Sequence, residues 1–370
     1  MRVHRGWRAL VGALLVAAVV AACGGTVASP NPGSPAVSSS PVPSSAGASS
    51  GPPASASPTA AATPSPTPGT AGLGSERVNV LLIGVDRGPG REDQASTDVM
   101  MVASIDPVGK TASFLSIPRD LVDVPLADGT PYRQKINSLV READVNPGRF
   151  PGGDQGGEMV LAGALSRFLG VDIPYWASVD FTGFKALVSA VDGIDVLAWR
   201  PICDSHYRDD RFNGFGVAPG RWHLDSKEAL AWVRVRKPPP ESDFTRTIRQ
   251  VQALIGLRER IVESGLLADP LDALKSLGVV QTNVPDDVIE GFAALAPDLT
   301  NDRIYRRTIQ PPELVDEASD ARGYILLARD ADIAALVKIL FPKPGDRPTT
   351  GKVARYVSDD PAKELKGASC

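Results

Sequence analysis

The sequence predicts an α/β fold in which a central mixed β-sheet is covered by helices on both faces. A near-continuous apolar run at residues 78–85 is typical of a buried strand in the middle of a sheet. Further strand patterns alternate with helical patterns from there to about residue 341. The length of 370 residues is enough for one large domain with appendages.

The first 22 residues have the pattern of a secretory signal peptide. Three arginines precede an apolar run over residues 9–22, which is short for a permanent membrane anchor. Cys23 follows Val20-Ala21-Ala22, a sequence similar to a bacterial lipobox, so we expect Cys23 to carry the lipid anchor. The alternative is ordinary cleavage after a small-residue site, with Cys23 incidental.

Residues 23–74 form the predicted linker. From Gly24 to Gly74 the chain is almost entirely Ser, Pro, Ala, Gly and Thr, with no charged residue. Such a composition buries too little apolar surface to offset its ordering entropy, so we expect a disordered tether. With a lipid anchor, this predicts a protein on the extracytoplasmic face of the bacterial membrane, facing the cell wall.

Composition and motifs exclude several functions. The formal net charge is −4 and there is no basic run, which argues against nucleic-acid binding. The three histidines make no zinc pattern with the cysteines. The sequence has no phosphate-binding P-loop, no dinucleotide fingerprint and no nucleophile elbow.

The predicted folded domain, residues 75–342, begins with two strands whose ends carry carboxylates. Asp86 follows the first strand and Asp98 opens the second, so the two side chains lie at neighbouring strand ends. Paired carboxylates suit a hard cation such as Mg²⁺, or Mn²⁺. The alternative for each aspartate is a helix cap or a turn. A third strand over residues 110–117 ends close to Arg119, another charge at a strand terminus.

Later elements follow from periodicity and from stop signals such as Gly170. We predict helices opening near Lys135 and over 158–169, 181–190, 224–231, 243–264, 270–277, 286–296 and 331–341. We predict strands over 175–180, 194–196, 303–309 and 323–328, an irregular stretch over 201–220, and a loose polar tail over 343–370.

The stretch from Ala231 to Gln252 carries an unusual number of arginines. Residues 232–236 alternate as in a strand, which places Arg234 and Arg236 on one face. After three prolines, Asp243 is a plausible N-cap of a helix. Arg246, Arg249 and Gln250 share a face of that helix.

Four guanidiniums converging on one point need an anion, and a phosphate or pyrophosphate matches their planar, permanently charged forks. The alternative is that these arginines are solvated or paired with Asp and Glu side chains. Cys203 and Cys370 are the other two thiols beside Cys23, and in an oxidising compartment they could pair and hold the tail to the domain.

The folded part resembles the LytR-CpsA-Psr family of bacterial cell-wall proteins over roughly residues 76–342. The resemblance rests on spaced motifs in a fixed order, which is more specific than any single motif. These motifs are NVLLIGVD, STDVMMVASIDP, SIPRD at 116–120, KIN at 135–137, VDFTGFKALVSAVDGIDV, LDSKEALAWVRVRK and DFTRTIRQ.

The resemblance implies a phosphotransferase. It would take a teichoic acid, capsule or arabinogalactan precursor from a polyprenyl pyrophosphate carrier and attach it to peptidoglycan through a phosphodiester. Asp86 and Asp98 would hold the metal, and the lipid would lie in an apolar tunnel between sheet and helices. The pyrophosphate would be gripped by Arg119, Arg234, Arg236, Arg246, Arg249 and Gln250. Asp243 would orient an arginine or act as a base, unless it is only a helix cap.

Two other readings stay open. One is a weakly catalytic or non-catalytic wall lipoprotein that binds polyprenyl-phosphate intermediates, which would need the arginines but not the metal pair. The other, a transcriptional regulator, conflicts with the export signal and the acidic net charge. A pyrophosphatase side activity on prenyl pyrophosphates is expected at the same site.

Overall fold

A computed structural model describes residues 72–86, 96–263, 279–352 and 363–364. Its centre is a mixed sheet with the strand order β11-β6-β1-β2-β3-β12. The pairs β1–β6 and β3–β12 are parallel, and the other neighbours are antiparallel. These strands are β1 (Val78–Val85), β2 (Thr97–Asp106), β3 (Thr111–Ser116), β6 (Tyr175–Asp180), β11 (Val280–Thr282) and β12 (Ile304–Thr308).

The remaining strands make small sheets at the periphery. They are β4 (Val124–Pro125), β5 (Pro131–Tyr132), β7 (Ile194–Ala198), β8 (Ile202–Arg208), β9 (Asn213–Val217), β10 (Gly220–Leu224), β13 (Val315–Asp320), β14 (Gly323–Ala328) and β15 (Lys363–Glu364). Strand β10 pairs with β7 and β15, while β4–β5, β8–β9 and β13–β14 are two-stranded.

The described helices alternate with these strands. They are α1 (Leu139–Val145), α2 (Gly157–Leu169), α3 (Phe181–Ala190), α4 (Ser226–Arg234), α5 (Asp243–Glu263), α6 (Asp286–Leu295) and α7 (Asp330–Leu340). Gly170 ends α2 in the left-handed conformation, as predicted. Short 3-10 turns lie at Ile136–Ser138, Pro147–Arg149, Gly153–Gln155, Ala296–Asp298 and Asn301–Arg303.

Each face of the central sheet has its own hydrophobic core. Alternation along β1 directs Val80 to one face and Leu81 and Ile83 to the other. The first face packs against α3, α4, α5 and α6, and the second against α1, α2 and α7. Burial of apolar side chains on both faces explains the continuous apolar run of β1 and confirms the predicted three-layer αβα class.

The predicted arginine strand is wrong, because residues 226–234 form the helix α4. Asp225 caps it by accepting hydrogen bonds from the backbone N–H groups of Lys227 and Glu228, both at 2.9 Å. The Glu228 carboxylate accepts in return from the Asp225 N–H at 2.9 Å, which completes a capping box. The alternating residues 232–236 span the last turn of α4 and its extended exit at Val235 (ψ 133°).

The predicted N-cap of α5 is also displaced by one residue. The Ser242 hydroxyl accepts from the Thr245 N–H at 3.2 Å, and the Thr245 hydroxyl accepts from the Ser242 N–H at 2.8 Å. Ser242 therefore caps the helix. The carboxylate of Asp243, the first helical residue, is left to face other side chains.

Two predictions about the periphery are corrected, and one strand was missed. Residues 201–220 are not irregular, since they contain the β8–β9 hairpin. Strand β13 was not predicted. The tail is not loose over residues 343–352: the Gly345 N–H donates to Asp106 at 2.9 Å, and the Arg306 N–H donates to the Gly351 carbonyl at 2.6 Å. Farther on, β15 pairs in parallel with β10.

Several predictions fall wholly or partly outside the described residues. These are the signal peptide, the lipidated Cys23, the linker up to residue 71 and the helix at 270–277. Cys203 is disulfide-bonded, and its partner lies outside the described residues, as Cys370 does. None of the helices within the described ranges is long and apolar enough to cross a membrane.

Candidate active site

A polar cavity of ≈ 560 Å³ opens where the start of β2, the end of β3 and the first turns of α5 meet. Most of its charged side chains come from these three elements and the loop before α5, and the β13–β14 hairpin closes another side. The charged and amide residues on its wall are Asp98, Arg119, Asp120, Lys135, Arg236, Lys237, Asp243, Arg246, Gln250 and Glu317.

The structure places Asp86 and Asp98 on adjacent antiparallel strands, as predicted. Asp86 directly follows β1, and its backbone N–H donates to the Ser96 carbonyl at 2.9 Å. Asp98 is the second residue of β2, at a register shift where Gly84 pairs with Val99 and Val85 with Thr97. The shift is a β-bulge, which is common beside functional sites because it redirects a side chain.

Arg119, just beyond β3, links the carboxylates of the cavity. Its Nη1 donates to Asp98 Oδ1 at 3.0 Å, and its Nε lies 3.5 Å from Asp120 and 3.7 Å from Asp243. Burial alone would lower the pKa of this guanidinium, but the carboxylates of Asp243, Asp98 and Asp120 outweigh burial and raise it. Arg119 is therefore a fixed positive charge that is held from three sides.

Asp243 lies between three arginines. Its carboxylate is 3.1 Å from Arg246 Nη2, 3.7 Å from Arg119 Nε and 3.9 Å from Arg236 Nη1. One carboxylate can then keep three guanidiniums close together despite their mutual repulsion. These contacts favour the orienting role for Asp243 among the roles considered from the sequence.

Arg246 has donor capacity that the described residues leave unused. Its side chain is 7% exposed, and Nη2 reaches the Asp98 carbonyl at 3.4 Å. Burial lowers its pKa, against the opposing effect of Asp243 and Asp98. Among the described residues, its buried Nε has no hydrogen-bond partner, and neither does the Nε of Arg119. Buried donors without partners are costly, so these two are suited to an anionic ligand that enters the cavity.

Arg249 does not join this group, which corrects the prediction that four arginines converge. Its Nη1 is paired with Glu241, its Nη2 donates to the Val235 carbonyl, and its Nε donates to the Trp232 carbonyl at 2.9 Å. Burial lowers its pKa, and Glu241 opposes that shift. All three donor positions bind the segment that joins α4 to α5, so Arg249 holds that segment instead of lining the polar cavity.

Arg234 also lies outside the polar cavity wall. Its guanidinium carbon is 4.5 Å from the centroid of the Phe181 ring and 5.6 Å from that of Tyr207. Its Nη1 donates to the Tyr207 hydroxyl at 3.3 Å. These contacts are cation–π interactions at the end of α4, so Arg236, beyond the helix, is the arginine of this pair that reaches the cavity.

An apolar cavity adjoins the polar one. It lies between β1, β2 and β6 of the sheet and the helices α3, α4 and α5, and its wall includes Phe184, Val233 and Leu254. Asp98, Val99 and Gln250 line both cavities. The Gln250 amide is held near the Val233 carbonyl at 3.5 Å. A ligand with an anionic head and an apolar tail would match this junction.

Comparison with known proteins identifies the family. The model of the family described as LytR_cpsA_psr matches residues 48–336. The chain belongs to the LytR_cpsA_psr family. The sequence resemblance is thereby confirmed, and the family match starts within the segment predicted as linker.

Curated relatives of this LytR_cpsA_psr protein are named as transferases. It is 33% identical over 215 residues to a protein of Bacillus anthracis (strain CDC 684 / NRRL 3495) named polyisoprenyl-teichoic acid–peptidoglycan teichoic acid transferase TagU. It is 30% identical over 218 residues to the correspondingly named TagV of Bacillus subtilis (strain 168). The matches span 58% of this chain in both cases, but only 62% of the first relative and 51% of the second.

Solved structures of similar proteins support the fold. The crystal structure of B. subtilis TagV has a TM-score of 0.55 and 26% identity, covering 72% of this chain and 97% of that chain. Protein gbs0355 from Streptococcus agalactiae gives a TM-score of 0.57 at 21% identity, covering 75% of this chain and 91% of that chain. Both place the LytR_cpsA_psr chain in the same α/β architecture.

Sequence reasoning missed part of the cavity wall of this LytR_cpsA_psr protein. Lys135 Nζ lies 2.7 Å from Asp120 Oδ1. Both residues stand in the motifs KIN and SIPRD, but neither of the two was given a role in the prediction. Glu317 and Tyr324 come from the β13–β14 hairpin. Strand β13 is largely polar and exposed, so no hydrophobic alternation marked it.

The metal prediction concerns Asp86 and Asp98. The described residues contain no group of three or more His, Cys, Asp or Glu side chains placed to hold a metal ion. Mg²⁺ prefers oxygen ligands, and in phosphoryl-transfer sites it is often held by one or two carboxylates together with substrate phosphates. Two carboxylates at adjacent strand ends fit that donor set. Asp98 accepts from Arg119 and lines the polar cavity, whereas Asp86 is not among the residues of the cavity wall.

Proposed function

We propose that this protein is a phosphotransferase that moves a glycopolymer from a polyprenyl pyrophosphate carrier to peptidoglycan, forming a phosphodiester. The observation that carries the proposal is the junction of the arginine-lined cavity with the apolar cavity at Asp98, Val99 and Gln250. A pyrophosphate with a long apolar tail is the ligand class whose two parts match these two walls. The names of the curated relatives support a polymer of the teichoic acid type.

The arginines would bind the two phosphates of the donor. The buried Nε atoms of Arg119 and Arg246 have no hydrogen-bond partner among the described residues, and Arg236 adds a more exposed positive charge. Asp243 keeps these guanidiniums in place, so little reorganisation is needed when charge moves between the phosphates. Preorganised donors of this kind supply a large part of the rate enhancement in phosphoryl transfer.

In the proposed reaction, a hydroxyl oxygen of the acceptor attacks the phosphorus that carries the glycopolymer. A new oxygen–phosphorus bond forms, and the bond from that phosphorus to the bridging oxygen breaks. The polyprenyl phosphate leaves with the electron pair, and the hydroxyl proton passes to a base or to water. Attacking and leaving oxygens lie roughly in line in such displacements.

A divalent cation fits the proposed site. Asp86 and Asp98 would hold Mg²⁺ or Mn²⁺, and the ion would neutralise negative charge on the phosphates. Asp98 also accepts a hydrogen bond from Arg119, which couples the cation side of the site to the arginine side.

Location follows from the same proposal. Lipidation of Cys23 would anchor the chain on the outer face of the cell membrane, where polyprenyl-linked precursors and peptidoglycan meet. Loss of membrane association in a Cys23→Ala variant is the expected result, and unchanged membrane retention would contradict the lipid anchor.

A transfer assay tests the function. The full-length protein in detergent is given a prenyl-pyrophosphate-linked glycan and peptidoglycan with Mg²⁺, and covalent attachment is measured. We expect transfer by the wild type and a fall of about 10²-fold or more for Asp98→Asn. Asp154→Asn, an exposed site outside the cavity, is the matched control. Absence of wild-type transfer, or equal activity of Asp98→Asn, would contradict the proposal.

A further inference from the structure

The polar cavity has a wall that the donor phosphates do not need. We call it the hairpin wall and define it as Glu317 and Tyr324 on the β13–β14 hairpin with Asp120 and Lys135 opposite. Its residues line the polar cavity and are absent from the apolar one. It is therefore not part of the junction through which a lipid tail would leave.

The hairpin wall is fixed by backbone pairing. The Leu326 N–H donates to the Asp120 carbonyl at 3.0 Å, and the Val122 N–H donates to the Leu326 carbonyl at 3.2 Å. Arg322, in the turn of the hairpin, donates to the Arg133 carbonyl at 2.6 Å. Side chains on elements held in this way keep their positions well enough to select a ligand.

The chemistry of the hairpin wall differs from that of the arginine group. The Tyr324 hydroxyl donates to Glu317 Oε1 at 2.6 Å, and the single cation, Lys135, is neutralised by Asp120 at 2.7 Å. The Glu317 carboxylate repels a phosphate but accepts hydrogen bonds from hydroxyl groups. The Tyr324 side chain offers an apolar ring beside this carboxylate and is 41% exposed. A sugar presents hydroxyl groups next to an apolar ring face, so it is the class of ligand that matches this wall.

The direction of the reaction selects which sugar binds there. The leaving polyprenyl phosphate must depart toward the apolar cavity, and the attacking oxygen must approach roughly in line from the other side. The hairpin wall borders the polar cavity and not the apolar one, so it can contact a group that approaches from the polar side. A hydroxyl-bearing acceptor is therefore favoured over the sugar already joined to the donor.

We propose that the hairpin wall binds the acceptor glycan of peptidoglycan and presents its hydroxyl to the phosphates held by Arg119 and Arg246. The inference rests on the proposed function, and it assigns Glu317 and Tyr324 to binding and positioning of the acceptor. Glu317 would accept the hydrogen bond of a sugar hydroxyl, and Tyr324 would cover the apolar face of the ring.

Direct binding tests the inference without catalysis. The probe is a soluble disaccharide of N-acetylglucosamine and N-acetylmuramic acid with its stem peptide, titrated into the full-length protein in detergent. Loss of one hydrogen bond to a charged group predicts about tenfold weaker binding for Glu317→Gln. Tyr324→Phe should weaken it less. Asp316→Asn, on the adjacent position of β13 and paired with Arg329, is the matched control and should bind as the wild type does.

A second measurement separates this inference from the proposed function. Transfer to peptidoglycan should fall more in Glu317→Gln than phosphate release from a prenyl pyrophosphate without acceptor does. If the wild type binds the probe, if this binding depends on Glu317, and if no transfer occurs, the proposed function is refuted. The sugar-binding site would then still stand. Equal binding by Glu317→Gln and wild type would overturn the sugar site, whatever the transfer result. Weaker hydrolysis of a sugar-linked donor with unchanged probe binding would also overturn it, in favour of a donor subsite.

Discussion

Arg246 and Arg249 lie one turn apart on α5, and both side chains are almost completely buried, at 7% and 5% exposure. Their surroundings differ. Arg249 is paired with Glu241 and donates to two backbone carbonyls, so each of its nitrogens has a partner. Arg246 faces Asp243 with one nitrogen, and its Nε has no hydrogen-bond partner within the described part of the chain.

The difference separates a structural arginine from a ligand-binding one. A saturated buried guanidinium contributes by keeping its neighbours in place, and its loss should appear in stability. A buried guanidinium with unused donors carries a desolvation cost that a ligand can relieve, and its loss should appear in activity. The following predictions test this separation, in order of decreasing expected effect.

The largest effect is expected from removing the partner of Arg249. Glu241→Ala leaves a buried, uncompensated guanidinium, so the free energy of unfolding should fall by about 3–5 kcal/mol in urea titrations. Glu263→Ala removes the exposed partner of Arg260 on the same helix and should cost about 1 kcal/mol or less. Equal losses for the two variants would show that Arg249 is not the structural arginine of the pair.

Removing Arg246 should act mainly on the rate. We expect kcat of Arg246→Ala to fall by about 10²–10³-fold, because one preorganised donor to the transferring phosphates is lost. Asp243 keeps Arg119 and Arg236 as partners, so the loss of stability should be smaller than for Glu241→Ala. Arg249→Ala is the comparison, assayed where both variants are folded. An equal fall of kcat in Arg246→Ala and Arg249→Ala would contradict the distinction between a ligand-binding and a structural arginine.

Filling the apolar cavity should affect only substrates with long lipid tails. Leu254→Trp places a larger side chain in that cavity, so we expect KM for a long-chain prenyl pyrophosphate to rise about tenfold, or about 1.4 kcal/mol. KM for a short-chain pyrophosphate should stay the same. Ile339→Trp, at an exposed site on α7, is the control. An equal rise for short and long chains would place the lipid elsewhere.

The smallest predicted effect is a pH dependence of stability from Glu241. Burial alone would raise the pKa of this carboxyl, but Arg249, Thr245 and Arg200 outweigh burial and lower it from 4.5. The folded state therefore binds the proton more weakly than the unfolded state. Its stabilising contribution is complete above pH 4.5 and is lost as the pH falls through the lowered pKa. Urea titrations between pH 7 and pH 3 should show a shallower decline for Glu241→Gln than for wild type, and identical slopes would contradict the assignment.

The sequence predicts the fold well where periodicity and length are strong. The buried strands β1 and β6, and α3 directly after β6, were expected within a residue or two, because both faces of the sheet are apolar. Where the sequence pattern was weak or mixed, the predicted secondary structure was wrong or incomplete. Residues 232–236 alternate like a strand, yet the capping box at Asp225 had already started a helix. Strand β13 is too polar to be recognised without its partner β14.

The candidate site was predictable in part. Strand ends placed Asp98 and Arg119 in the cavity, and helical spacing placed Arg246 and Gln250 there. Spacing could not separate Arg249 from Arg246, because the separation depends on Glu241 and on the carbonyls of Trp232 and Val235. Tertiary partners of that kind leave no trace in local periodicity.

The buried Asp106 has a mechanical consequence. It accepts from the Gly109 N–H at 2.9 Å and the Gly345 N–H at 2.9 Å, and it pairs with Arg77, so both ends of the domain meet there. Asp106 ends β2, whereas Asp98 near the start of β2 faces the cavity, roughly 26 Å away at about 3.3 Å per residue. A pull on the chain before residue 72 would act along β1. Strand β1 is bonded to β2 and β6 on its two sides, so the load would shear both ladders at once instead of opening them bond by bond. Resistance to tension from upstream would then come from the full length of both ladders.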